Sequence, residues 1–262
     1  MAREYVRAGF EGAGLEAPPA GFVQPFEFTG RGDSARVIQG ANVVGFVEGT
    51  GQELGAITLT GHFDHLGIRT PRPGSAAELE GDSIFNGADD NASGTAAIMA
   101  LARYFSLHPP RHTMVFAAVD AEEMGLRGAR AFVEAGWPDS ITLNVNLDMV
   151  SRSDSLLFIA GTHHYPQLRP IMESVQAYRP VVLRFGHDQR GVQGVQDWTG
   201  SSDHQAFHAR GIPFLYFGVE DHPDYHRASD EFERIDPVFF LNSVRTILSA
   251  VLTLDEALAG GG

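Results

Sequence analysis

Five short stretches of this chain carry the residue types that hold divalent metal. They are Gly61-His62-Phe63-Asp64, Gly87-Ala88-Asp89-Asp90-Asn91, Ala121-Glu122-Glu123, Asn146-Leu147-Asp148-Met149 and Asp224-Tyr225-His226. Zinc takes histidine nitrogen and carboxylate oxygen at about 2.0–2.2 Å, and paired ions in hydrolases lie about 3.5–4 Å apart. Two cations that close need a shared anion between them. We assign Asp89 to that bridge, His62 and Asp148 to the first ion, and Glu123 and His226 to the second. Three carboxylates and one hydroxide between the ions then balance two Zn²⁺ while both imidazoles stay neutral. The chain has no cysteine, which excludes thiolate ligands, disulfides and a cysteine nucleophile together. The same nitrogen and oxygen donors also suit Co²⁺ or Mn²⁺.

Glu122 is the candidate for proton transfer. It directly precedes a ligand, and a carboxylate beside metal-activated water can take a proton and pass it to a leaving amine. Asp64, two residues after His62, is placed to accept the ligand's second ring N–H and fix its tautomer. Tyr225, next to His226, could donate a hydrogen bond to an oxyanion.

These residues must be brought together by the fold, and the hydrophobic pattern says how. A helix-like opening gives way to a Gly/Pro-rich passage, Glu16 to Gly40, of irregular or edge-strand character. Strands are expected at Val43–Val47, Ala56–Thr60, Thr113–Val119, Ile141–Leu147, Leu156–Ala160, Val181–Phe185 and Pro213–Val219. Helices are expected at Ser93–Phe105, Gly125–Ala135, Tyr165–Ala177, Ser202–Ala209 and from Asp236-Pro237 to about Leu258, with a long Gly/Pro/Ser loop from Gly67 to Gly87 and a frayed tail from Gly260 to Gly262. Thr113–Val119 is a continuous apolar run, the signature of a strand covered on both faces. Alternating strands and helices predict an α/β fold, a three-layer αβα sandwich around a mixed, mostly parallel sheet, whose ligands sit at the carboxyl ends of strands. Each candidate ligand falls at such an end or in the loop beyond it.

The 262 residues read as one catalytic domain, 1–262, since a hydrophobic share of 43% fills one core. A formal net charge of −14, with every basic residue an arginine, argues against a nucleic-acid or anionic-membrane partner. No apolar run along the sequence reaches the ~18 residues of a membrane span, and no signal-peptide apolar region follows Met1. The composition points to a secreted or periplasmic protein whose export signal is absent from this chain, with a cytoplasmic one as the alternative.

Taken together the motifs resemble the co-catalytic zinc aminopeptidases of the bacterial leucyl aminopeptidase and aminopeptidase S type, related to glutamate carboxypeptidase II, the transferrin receptor and glutaminyl cyclases. The resemblance spans roughly Asn42 to Asp236, through His-Phe-Asp-His-Leu-Gly at 62–67, Asn-Gly-Ala-Asp-Asp-Asn-Ala-Ser-Gly at 86–94, Ala-Glu-Glu-Met-Gly-Leu-Arg-Gly at 121–128, Leu-Asp-Met at 147–149, Ser-Asp-His at 202–204 and Asp-Tyr-His-Arg-Ala-Ser-Asp at 224–230. It implies the zinc-exopeptidase fold and metal ligation by His62, Asp89, Glu123, Asp148 and His226. It further implies Glu122 as general base, a cis peptide between Asp89 and Asp90, and removal of the first residue from peptides with a free N-terminus.

Each feature has a plainer reading when taken singly. Asp89-Asp90-Asn91 could cap a helix, Glu122-Glu123 could be a solvated pair, and His226 could be structural. The remaining histidines, His65 among them, read by default as surface or supporting residues, with His204 the one best placed to touch the site. Two rival functions on the same scaffold are a single-zinc glutaminyl cyclase and a non-catalytic binding module; the complete ligand set weighs against both.

Overall fold

The computed structural model describes residues 1–30, 36–51, 53–69 and 81–260. Its framework is an eight-stranded mixed sheet formed by β1 (Val23–Thr29), β2 (Val37–Val47), β3 (Ala56–His62), β6 (Thr113–Val119), β7 (Ile141–Leu147), β8 (Leu156–Ala160), β9 (Val182–Phe185) and β10 (Phe214–Gly218). A separate two-stranded ribbon joins β4 (Gly67–Ile68) to β5 (Ile84–Phe85). The order across the large sheet is β1-β2-β6-β3-β7-β10-β8-β9. The four strands β6, β3, β7 and β10 run parallel to their neighbours at the centre, and β8–β9 is a further parallel pair. The other three pairings are antiparallel. This is the α/β architecture that the alternation of elements predicts.

Burial explains the central positions. Every residue of β3 is buried, as is all of β6 after Thr113; β6 is then apolar on both faces, while the buried Thr58 and Thr60 on one face of β3 are satisfied by hydrogen bonds with Asn144 and Asn146 of β7. Alternate side chains then feed two cores. Ile57, Leu59, Phe116, Leu143, Val145, Leu215 and Phe217 point to one layer, where they meet α1 (Ala2–Ala13), α2 (Gly94–Leu107), α4 (Arg169–Glu173) and α6 (Pro237–Ala259). Val44, Val115, Ala117 and Val119 point to the other, against Ala129 and Phe132 of α3 (Arg127–Glu134) and Phe207 of α5 (His204–His208).

Thr113–Val119, Ile141–Leu147 and Leu156–Ala160 form strands over the expected residues. The Gly/Pro-rich passage contains a true edge strand, β1, paired antiparallel with β2 from Val23↔Val43 to Thr29↔Val37. Pro25 is tolerated there because an edge strand has one side free of ladder partners. The helix expected over Tyr165–Ala177 shrinks to a short turn at Pro166–Leu168 and α4, since Pro166 and Pro170 limit helical bonding. Residues 70–80 of the expected long loop and 261–262 of the expected tail lie outside the described residues.

The closing helix α6 starts as its sequence predicts. Asp236 accepts hydrogen bonds from the backbone N–H groups of Val238 and Phe239 at 2.9 and 3.0 Å, and Pro237 occupies the first turn. At 23 residues, with a mean hydropathy of 1.5 over an 18-residue stretch, it is long and apolar enough to cross a bilayer. Scanning for an unbroken apolar run misses this, because Asn242, Ser243, Arg245 and Thr246 interrupt it. In the fold, Phe239, Ile247, Ala250, Val251 and Leu254 of this helix are buried in the core. Near its end, the Asp255 carboxylate accepts from the backbone N–H of Arg111 and of His112 and lies 2.8 Å from His112 Nδ1.

Candidate metal centre and active-site cavity

The carboxyl ends of β3, β6, β7 and β10 lie side by side, with His62 in register with Val119 and Phe217 with Leu147. His62 is the last residue of β3, Glu122 and Glu123 follow β6, Asp148 follows β7, and His226 lies in the loop after β10. Several backbones here are held in the left-handed region rarely used outside glycine: Ala121 (φ 57°), Met149 (φ 56°) and His226 (φ 55°). Such conformations persist where surrounding contacts over-determine them, and they concentrate at functional sites.

Asp90 sits at the centre of the cluster. Its Oδ1 lies 3.3 Å from His62 Nε2, and its Oδ2 lies 3.1 Å from His226 Nε2. His62 Nε2 is 3.5 Å from Asp148 Oδ1, and His226 Nε2 is 3.3 Å from Glu123 Oε1. Two ligand groups share Asp90: His62 with Asp148, and Glu123 with His65. The expectation that Asp89 occupies this place is therefore corrected by one residue, and the cis peptide lies at Asp90–Asn91 rather than Asp89–Asp90.

Asp89 points away from the cluster. Its Oδ1 accepts from the N–H of Ser151 at 2.9 Å, the Ser151 hydroxyl at 2.5 Å and the Ser93 hydroxyl at 3.1 Å, while Oδ2 faces His222 Nε2 at 3.3 Å. Consecutive residues of a turn project in different directions, so one of two adjacent aspartates faces the cleft and the other anchors the loop after β7. The turn is held from behind by residues that sequence reading missed. Asp230 accepts from the N–H groups of Asp89 and Asp90, and Asn91 bridges Gly94 N–H, Met149 N–H and the Leu147 carbonyl. Gly94 is required by this packing, because an added Cβ would fall 2.3 Å from the Leu147 carbonyl oxygen.

Asp64 works differently from expectation. His62 Nδ1 meets the Asp64 backbone carbonyl at 3.1 Å, whereas the carboxylate is 3.6 Å away. That carboxylate instead accepts from the backbone N–H of Glu122 at 3.0 Å and of Glu123 at 3.3 Å. Asp64 thus fixes the tautomer through its main chain and aims the two glutamates through its side chain. Tyr225 stacks on His226, ring centroids 3.9 Å apart. His204 is fully buried and spent on structure: Nε2 meets the Trp198 carbonyl at 2.9 Å, and the ring stacks on Phe214. His65, by default a surface residue, is buried beside Glu123.

The cluster opens into a cavity of about 490 Å³ whose lining includes His62, Asp90, Glu122, Glu123, Asp148, Asp221, Tyr225 and His226, with Trp198, Leu126 and Val219 among its apolar walls. Burial pushes Glu122 up to about 9, reinforced by the Asp203, Asp148 and Glu123 carboxylates and opposed by His62. Burial likewise pushes Asp203 up to about 8. Bonds to Asp90 and Glu123 carry His226 up to about 10 against its burial. Burial alone would lower His62, but Asp148, Asp64 and Asp90 outweigh it and raise the imidazole well above its ordinary value. Burial would raise Asp90 and Glu123; instead the histidines beside them hold Asp90 below the usual carboxylate range and Glu123 down at about 2. The field therefore calls for positive charge. Asp148 Oδ1, Glu123 Oε1 and both ring nitrogens of His65 are buried with no hydrogen-bond partner, which a native core rarely tolerates. Divalent metal ions fit this nitrogen and oxygen donor set.

Comparison with known proteins agrees with this geometry. Residues 42–251 match Peptidase family M28. The chain belongs to that family. That membership agrees with the motif resemblance to zinc aminopeptidases. A vacuolar membrane protease of Schizosaccharomyces japonicus is 26% identical over 230 residues, covering 83% of this chain and 24% of that protein. The structure of BSAP, a zinc aminopeptidase from Bacillus subtilis, is 25% identical with a TM-score of 0.61, covering 83% of this chain and 50% of that one. The Bacteroides thetaiotaomicron glutaminyl cyclase superposes with a TM-score of 0.70 at 17% identity, covering 96% of this chain and 87% of that one; that likeness speaks to the fold. The chain spans about a quarter of the length of the first curated relatives.

Proposed function

We propose that this M28 peptidase is an aminopeptidase that removes the N-terminal residue from peptides, using two zinc ions held by His62, Asp90 and Asp148 on one side and Asp90, Glu123 and His226 on the other. The reading rests on one observation: Asp90 is shared by two ligand groups and Glu122 faces the same cavity. When bound, such ions supply Lewis acidity and bring the pKa of water towards ~7.

The chain's own residues do the rest. Glu122 is held by the Asp64 anchor on its backbone; the burial and neighbouring carboxylates that raise its pKa would be offset by the charge of bound ions, which leaves a carboxylate able to accept a proton and hand it to the leaving amine. Tyr225 lines the cavity beside His226 and presents a hydroxyl for the oxyanion. With Asp90, Glu123 and Asp148 committed to the ions, the carboxylates of Glu122 and Asp221 still outnumber the guanidinium of Arg130 in the lining. That excess favours the cationic N-terminus of a substrate over its anionic C-terminus.

Residues 1–262 are proposed to form one catalytic unit. For its compartment we propose export, on the strength of the acidic, cysteine-free composition; a cytosolic location of the active protein in fractionated cells would overturn that. The functional test measures amino-acid release from unblocked and N-acetylated peptides, with and without chelator. Release from the free peptide alone, abolished by chelator, is expected. Equal cleavage of the blocked peptide would remove the aminopeptidase assignment. Cyclisation of an N-terminal glutamine without hydrolysis would favour the glutaminyl cyclase reading, and inactivity on every substrate a binding module.

A further inference from the structure

We infer that His65 is a protein ligand of the second ion, which makes the two metal sites unequal: a four-ligand site of Asp90, Glu123, His226 and His65 beside a three-ligand site of His62, Asp90 and Asp148. The inference rests on the two-metal reading above and adds a residue to it. His65 Nδ1 lies 2.9 Å from Glu123 Oε1 and 3.8 Å from Asp90 Oδ2, and its ring stands edge-on to that of His226 with centroids 5.8 Å apart. The side chain is 7% exposed.

At 2.9 Å a hydrogen bond between His65 and Glu123 would be ordinary, yet neither Nδ1 nor Oε1 is aligned on the other, and both remain unpartnered. Ligand atoms of His65, Asp90 and Glu123 all lie within 4.8 Å of one another, the spacing of donors around one cation. Asp64 explains how His65 reaches it. One residue before His65, its carboxylate clamps the N–H groups of Glu122 and Glu123, so the turn after β3 and the turn after β6 are drawn together and carry His65 against Glu123.

The consequence follows from zinc's preference for four ligands. Four protein donors close a site and hold its ion as structure, whereas three leave a position for water or substrate. The ion on His62, Asp90 and Asp148 is then the open one, and the ion on His65 the tightly held one.

The experiment uses the full chain. Zinc content is followed by elemental analysis during titration with a competing chelator, for the wild type and for His65→Ala. The wild type is expected to lose one equivalent readily and keep the second to chelator concentrations at least ~10-fold higher, while in His65→Ala that retained equivalent weakens by well over ~100-fold. This exceeds the 10–100-fold typical of a residue that only supports a ligand. A variant that binds two ions with wild-type affinities would overturn the inference and leave the two-metal reading standing; a wild type that binds no zinc would overturn both. A second measurement needs no variant. In ¹⁵N-histidine-labelled wild type loaded with ¹¹³Cd²⁺, metal–nitrogen coupling is expected for three imidazoles, those of His62, His226 and His65. Coupling to only two would refute the assignment.

Discussion

Exchanging the two adjacent aspartates gives the sharpest test of the site. Asp90→Asn and Asp89→Asn remove the same charge one residue apart, so composition and helix capping change equally. Asp90 belongs to both ligand groups, and its loss should weaken at least one ion by more than the 10–100-fold seen when a supporting residue is removed. Activity falls at least as far. Asp89 touches no ligand group but carries three hydrogen bonds on Oδ1 from Ser151 and Ser93. Asparagine keeps an oxygen there but not the charge, and each charge-assisted bond drops to about half its strength. With bonds to charged groups contributing ~1.5–3 kcal/mol and neutral ones ~0.5–1.5, the three together cost about 2–3 kcal/mol after allowing for shared geometry. For a chain of this size that lowers Tm by about 5–10 °C, while two zinc ions per chain remain. The assays are elemental zinc analysis and thermal denaturation in excess zinc. Metal loss in Asp89→Asn with retention in Asp90→Asn would refute the corrected assignment.

Three further expectations follow from the same contacts. Glu122→Gln should lower turnover by ~10²-fold or more with both metals bound, and near-normal turnover would take Glu122 out of the mechanism. Chelation should lower Tm, since an ion present at ~1,000 times its Kd stabilises the fold by about 4 kcal/mol; overlapping melting curves with and without chelator would contradict the cage. Far from the site, Asp255→Ala leaves the N–H groups of Arg111 and His112 unpaired and should cost about 2–4 kcal/mol. Hydrogen bonds from His112 and from those backbone groups outweigh burial and lower the Asp255 pKa, so its contribution is present above the unfolded carboxylate value of ~3.9 and is lost as pH falls below it. The gap in denaturant midpoint between wild type and variant should therefore narrow as pH falls below ~3.9 and through the lowered folded value, and a gap unchanged from pH 7 to about pH 2 would contradict the linkage.

Much of this was legible along the chain because burial leaves a direct imprint on residue order. A strand covered on both faces favours apolar residues, so the unbroken apolar run of Thr113–Val119 declares itself, and Asp236-Pro237 announces a helix start by chemistry local to three residues. Edge strand β1 was harder to place: half-exposed, with Pro25 in its ladder, it lacks the continuous apolar run. The shortened α4 reflects two prolines whose local effect overrode an apolar periodicity. The closing helix's capacity to span a bilayer is not visible as an unbroken apolar run, because averaging over 18 residues ignores interruptions that a run count does not.

For the site, sequence by itself determined the inventory and its address: nitrogen and oxygen donors, no thiolates, and each donor at the end of a buried strand. Only the tertiary structure decided which of two neighbouring aspartates faces the cavity, which atom of Asp64 meets His62, and that His65 lies against Glu123. The reason is physical. Residue type and strand order set where a backbone arrives, but a side chain's direction at a turn is fixed by partners distant in sequence. Here Asp230 and Ser151 orient the Asp89-Asp90 turn from 140 and 62 positions away, and Asn91 within the turn ties it to Met149, 58 positions on.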